Sequence, residues 1–254
     1  MRENAGVKEK AGVGLFLESG SDRLYLVQRK IARRVILEDD FSLELPAGVD
    51  QAFLEAPGRE LVVSGCVAGA GGRLMKSHSV MAACHPYVPG LLFFREGPAA
   101  VRAARALSIQ PTLLFVDGCG VNHPRGAGLA SMIGVLMDLP TIGISKWVLC
   151  GEHEPLQGVG DASPLCCRDR VAGYVLQSKK GCRPIVVAPG HRISPESALE
   201  AARMFLKDHK LPEPCRLAHL HANAVRDGLE ESIMAPISRS GPGGHPGPRR
   251  RPPG

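Results

Sequence analysis

The chain has 254 residues, 44% of them hydrophobic and 22% charged, with 31 basic against 25 acidic side chains and a formal charge of +6. That is enough apolar material for one sizeable core, and it excludes a wholly disordered chain. No apolar run approaches the roughly 20 residues of a membrane-spanning helix, and none of the eight cysteines forms a Cys-x-x-Cys pair, so no zinc site is signalled either.

Residues 1–21 show no clear period and are expected to be irregular. Leu24, Val27 and Ile31 then recur at helical spacing among basic residues, which predicts a helix over residues 22–34 with Ser21 or Asp22 as its cap. Three strands follow, over residues 47–53, 60–70 and 74–84. Gly71-Gly72 supplies a hairpin turn between the last two, so an antiparallel meander is expected. Two prolines and a glycine stiffen residues 85–90, and Pro98 suits the first position of a helix running to residue 107. Strand and helix then alternate: strand 112–116, helix 126–139, strand 141–145, strands 171–177 and 184–187, helix 195–206 capped by Ser194, and a last helix over 217–230. Residues 151–170 are expected to form a variable surface loop. From residue 238 the chain is rich in Pro, Gly and Arg and is expected to be a disordered tail. That tail holds four arginines and no acid, leaving the body near +2. A mixed β-sheet flanked by helices, in one domain over residues 22–237, follows from this pattern. The charged N-terminus and the cysteines set in apolar runs predict a reduced, intracellular protein.

Three acids stand out by position. Asp50 lies within a strand, Asp117 ends the apolar run Leu113-Leu114-Phe115-Val116, and Glu96 sits between Phe93-Phe94 and Gly97-Pro98. Carboxylates at buried strand ends must be paired, hydrogen-bonded or bound to a metal, and together they could hold magnesium for phosphodiester chemistry. Taken singly each reads better as a turn cap, and Asp117-Gly118 is an ordinary turn dipeptide. The segment Asp117-Gly118-Cys119-Gly120-Val121-Asn122-His123-Pro124-Arg125-Gly126 shifts the balance. Its glycines allow close backbone approach, and a cation and a helix start follow, a combination suited to a phosphate or a base.

This segment resembles the signature of the endonuclease V family, an Asp-Gly-x-Gly followed by His-Pro-Arg. Gly48-Val49-Asp50, the stretch from Pro86-Tyr87 through Arg95-Glu96, Gly143-Ile144-Ser145-Lys146 and Gly190-His191-Arg192-Ile193-Ser194 also resemble family motifs, in the family's order, and the likeness extends over residues 22–226. Gln51 stands where the family more often has an apolar residue.

The resemblance implies an RNase H-like fold and a repair endonuclease that recognises deoxyinosine and hydrolyses the second phosphodiester bond on its 3′ side. Such a cut leaves a 3′-hydroxyl and a 5′-phosphate with the lesion in place. Asp50, Glu96 and Asp117 would hold Mg2+, or Mn2+ as a substitute, and His191 and Lys146 would stand at the same centre. Tyr87 would be a wedge entering the base stack. Pro86, Gly90, Gly118 and Gly120 would shape the lesion pocket, and Arg95, His123 and Arg125 would contact the strand. The expected partner is inosine-containing DNA, met by a cytoplasmic monomer. An inosine-specific endoribonuclease on the same fold is the alternative, to be separated by contacts to a 2′-hydroxyl. An inactive inosine-binding module is disfavoured by the intact acids, and a zinc hydrolase by the histidine spacing.

Overall fold

The structure, a computed structural model, describes residues 10–234, with side chains from residue 21 onward except at residue 70. The tail expected from residue 238 lies outside them. Eight strands form one sheet in the order β3-β2-β1-β4-β5-β8-β7-β6. β1 (Pro46–Ala56), β2 (Arg59–Ala70) and β3 (Arg73–Ala82) make the expected antiparallel meander. The turn between the last two is Gly71-Gly72, with φ of 57° and 78°, the left-handed values that a tight hairpin needs at both central positions. β4 (Leu113–Asp117) and β5 (Thr141–Ser145) lie parallel to β1. β6 (Ala162–Cys167), β7 (Arg170–Leu176) and β8 (Ile185–His191) complete the sheet in antiparallel fashion.

Alternation along the strands feeds two cores. Leu114 and Val116 of β4 pack with Ala100, Met132 and Ile133 from α2 (Leu92–Arg105) and α3 (Leu129–Met137), and Ile31 of α1 (Lys10–Ala32) joins them. Leu113 and Phe115 turn to the other face, where Ala198 of α4 (Pro195–Met204) and Cys215 of α5 (Glu213–Met234) cover the sheet. β4 is buried on both faces, which is why it reads as an unbroken apolar run. The result is the RNase H-like mixed sheet between helical layers. Among the described residues no helix is long and apolar enough to cross a membrane.

Several boundaries differ from the sequence reading. The first helix begins at Lys10, so residues 10–21 are helical rather than irregular; Gly12, Gly14 and Gly20 lower its propensity and hide its period. α2 begins at Leu92, not Pro98, which puts Glu96 inside a helix. The helix continues through Pro98, and the Phe93 ring lies across Gly97, where an added Cβ would stand 2.2 Å from ring carbon Cδ2. The expected loop 151–170 contains β6, an edge strand in which Pro164 sits at a register shift, a position where a missing N–H is tolerated. β8 continues past Val187 because a bulge against Thr141/Ile142 accommodates Pro189.

α5 lies directly on β1 and β2. A Cβ on Gly48 would stand 2.0 Å from the Pro214 carbonyl oxygen, and one on Gly65 would stand 2.6 Å from the Ala222 nitrogen. Only glycine permits this approach.

Candidate active site

The pairing of β1 with β4 runs from Pro46↔Leu113 to Val49↔Val116 and stops there, while β1 continues to Ala56. Asp50 and Asp117 are the next residue on each strand, so both stand in the notch where β4 ends. Period-two alternation puts Asp50 on the side of Gly48 and Ala52, facing α5, and Asp117 on the side of Phe115, the same layer. Glu96 enters from the first half of α2.

Asp50 and Glu96 are 6% and 7% exposed. Burial pushes the Asp50 carboxyl up to about 6; the Asp117 charge adds to the rise, and hydrogen bonds from the Gln51 amide and His219 oppose it. Burial likewise pushes Glu96 up to about 7, against the pull of Arg95 and with further push from Asp50, Asp117 and Glu60. Asp117 thus raises Asp50, and both aspartates raise Glu96, so the three carboxylates lie within electrostatic reach of one another.

Each aspartate has a definite partner. Asp50 Oδ1 accepts the Gln51 amide at 2.8 Å, and its Oδ2 accepts His219 Nδ1 at 2.7 Å. Asn223 Nδ2 donates to His219 Nε2 at 3.0 Å, which leaves Nδ1 as the proton-bearing nitrogen that donates to Asp50. Lys146 Nζ, just beyond the end of β5, donates to Asp117 Oδ2 at 2.8 Å. Burial works against this ammonium, but the charge and hydrogen bond of Asp117, with Asp50, outweigh it and raise the Lys146 pKa.

Beside the acids opens a cavity of about 250 Å³. Its walls include Gly118 and Cys119, Leu129 of α3, Gln28 of α1, and Gly90, with Tyr87 and Trp147 also lining it. Lys146 and Asp117 belong to the same lining, so the cavity and the acid cluster are continuous. The Gly90 carbonyl is held from three directions: Arg125 Nη2 donates to it at 2.6 Å, Gln28 Nε2 at 2.9 Å, and His123 Nε2 at 3.1 Å. Burial, with the Arg125 charge, lowers His123 to about 4, so it is a neutral ring; its Nδ1 accepts the Arg125 amide at 3.2 Å.

The structure thus brings Asp50, Glu96, Asp117 and Lys146 together, and places Tyr87, Gly90, Gly118 and His123 around the adjoining cavity. Pro86 is exposed beside Tyr87 on the loop before α2. Arg125 buttresses Gly90 and lies over the Tyr25 ring at 4.3 Å. Arg95 pairs with Glu60, donates to the His85 carbonyl at 3.3 Å and lies over the Phe53 ring at 4.9 Å, away from the cavity.

Two expectations need correction. His191 does not stand with the acids. It ends β8 opposite Thr141, at the start of β5, whereas Asp117 pairs with Ile144 near the other end of that strand. Three residues of strand, about 10 Å, separate the two levels. His191 instead meets Asp138 at 3.5 Å and accepts the Ile36 amide at 3.2 Å, a tie between α3 and the segment after α1. Gly120 does not line the cavity: its amide donates to Asn122 Oδ1, its carbonyl accepts from Gly128, and a Cβ there would stand 2.1 Å from the Pro189 carbonyl oxygen. Its glycine is required by packing on β8. The residue that sequence reasoning missed is His219, on the segment expected only as a last helix over 217–230. Its one legible signal is that it borders the buried stripe Cys215, Ala218 and Ala222.

The donor set fits a hard divalent cation. It consists of carboxylate oxygens only, in a cluster whose mutual repulsion a cation would relieve. Among the described residues no three His, Cys, Asp or Glu groups converge to ion-holding distance, since Asp117 and Asp50 each direct one oxygen to Lys146 and His219.

The chain is similar to known proteins in sequence and in fold. An endonuclease V from Azotobacter vinelandii is 44% identical over 196 residues, covering 76% of this chain and 89% of the relative. The crystal structure of endonuclease V from Streptomyces avermitilis superposes with a TM-score of 0.74 at 33% identity, over 84% of this chain and 94% of that one. In fold the chain is also similar to the endonuclease V of Ciona intestinalis, crystallised with a 24mer DNA containing an inosine followed by a ribo-adenosine, with a TM-score of 0.72 at 21% identity over 84% and 99% of the two chains. The family model for endonuclease V matches residues 29–220, which take in the acid cluster, Lys146, the cavity loop and His219, and the chain belongs to that family.

Proposed function

We propose that the chain is a magnesium-dependent endonuclease that finds deoxyinosine in DNA and hydrolyses the second phosphodiester bond on its 3′ side, leaving the lesion attached. The observation that carries this reading is the continuity between a base-sized cavity and a cluster of three carboxylates with a lysine. Such a layout can hold one nucleotide while a nearby phosphate meets the acids.

Asp50, Asp117 and Glu96 would hold magnesium, or manganese in its place. Bound there, the ion would acidify a water and offset charge on the phosphate. His219 keeps Asp50 oriented through Nδ1–H, as outer partners of metal ligands commonly do. Lys146 places an ammonium where charge grows on the phosphate during attack, once it exchanges Asp117 for the substrate. Tyr87, 64% exposed at the cavity mouth, fills the gap in the stack when a base swings out. The main chain at Gly90 and Gly118 faces the cavity, and the Gly90 carbonyl, which accepts from Arg125, Gln28 and His123, holds its loop rigidly as a wall for the base. Hypoxanthine carries an N–H at the ring position where adenine has a bare nitrogen, so fixed acceptors discriminate between them. A cytoplasmic setting, expected from cysteines set in apolar runs, belongs to the same reading.

The test is strand cleavage with magnesium on matched DNA and RNA oligonucleotides bearing one inosine, with inosine-free controls, using wild type and Asp117→Ala. Cutting one nucleotide beyond the inosine, on DNA, lost by about 1,000-fold or more in the variant, is the expected result. Preferential cutting of RNA would assign the ribonuclease activity instead. Binding to inosine without cutting of either would leave a recognition module.

A further inference from the structure

Trp147 is the chain's only tryptophan, and it is 66% exposed. It follows Lys146 directly and lines the same cavity as Tyr87. A large aromatic left in water beside a functional cavity invites a partner, because its apolar faces remain uncovered. Its backbone is pinned: Ser145 Oγ donates to the Trp147 carbonyl at 3.2 Å. One face of the indole is already taken, with the Arg183 guanidinium 4.6 Å from a ring centroid. The opposite face is available for a flat group, and the cation behind it would strengthen attraction for a strand that carries phosphates.

The direction of the strand selects the occupant. On the function proposed above, on which this inference rests, the inosine occupies the cavity and the scissile bond lies at the acids on its 3′ side. Trp147 lines the cavity together with Asp117 and Lys146, the pair through which the cavity meets the acids. We propose that Trp147 is a second stacking platform, distinct from Tyr87, whose free face receives the base immediately 3′ of the inosine. Stacking is tolerant of base identity, so the platform holds the nucleotide between lesion and cut without imposing sequence.

Because no other tryptophan contributes, intrinsic tryptophan emission reports this side chain alone. Wild-type protein, with calcium replacing magnesium, is titrated with a single-stranded oligonucleotide containing one inosine and with the same strand lacking the base 3′ of it. Binding is followed independently by anisotropy of an end label. The intact strand should quench the emission at saturation, and the strand without the neighbouring base should bind more weakly and leave it bright. Trp147→Leu should raise KM for the intact strand by about 5- to 100-fold, with a smaller change in kcat and no further loss on the strand lacking that base. Trp147→Phe should recover most of the KM. Binding by anisotropy with unchanged emission and an unaltered KM in Trp147→Leu would overturn the platform and leave the endonuclease reading standing. No binding of any inosine strand would overturn that reading and this one with it.

Discussion

Burial raises Asp50 to about 6 and Glu96 to about 7, so near neutral pH the metal-free site still holds protons that an unfolded chain would release. The folded-state values lie above the ordinary carboxylate range of about 4. This contribution to stability is therefore complete below that range and is lost as pH rises through 6 to 7. A cation reverses the trend, because it binds the ionised forms. Magnesium affinity measured by calorimetry should be weaker by about tenfold or more at pH 5.5 than at pH 8, with proton release on binding at the lower pH. Affinity that is flat across the range would contradict this account of the acids. At the same scale, His219→Ala removes the donor that orients Asp50 and should lower cleavage or metal affinity by about 10- to 100-fold; a variant with unchanged metal titration and rate would show that the contact is incidental.

The elements position these residues through close approaches. Gly90 has φ of 79° and carries the carbonyl that three donors hold. Gly90→Ala should cost about 1–2 kcal/mol of stability, and the relative rate on inosine against adenine strands should fall as the carbonyl shifts. Gly48→Ala would drive a methyl group into the Pro214 carbonyl, and urea unfolding should register a loss of about 3 kcal/mol. Much of this framework was legible beforehand. The meander, β4 and β5 announced themselves by alternation, by Gly71-Gly72 and by the doubly buried run before Asp117. The illegible parts are those where tertiary packing overrides a local signal. Pro98 reads as a helix start and the strand over 184–187 as ending before Pro189, yet α2 begins at Leu92 and a bulge at Thr141/Ile142 carries β8 past Pro189. The same limit hid His219 and misplaced His191: a histidine's role depends on which strand level it meets across the sheet, and no spacing along the chain encodes that.

At the scale of the molecule, β4 is the wall shared by both cores, with Leu114 and Val116 on one side and Leu113 and Phe115 on the other. Phe115 meets Phe205 edge-on at 5.5 Å between ring centroids. Phe115→Ala should lose about 3–5 kcal/mol and, since Asp117 ends the same strand, should weaken cleavage even where the protein remains folded; thermal melts and rates on the folded fraction measure the two effects. The placement of α5 has a consequence for the order in which the protein becomes functional. All three carboxylates are synthesised within the first half of the chain, but the histidine that orients Asp50, and the helix that covers Gly48 and Gly65, emerge with residues 213–234. A nascent chain still missing that helix has its acids but not the histidine that orients Asp50. A nuclease assembled this way has no finished cutting centre until that helix emerges, while it is still tethered beside the ribosome's own nucleic acid.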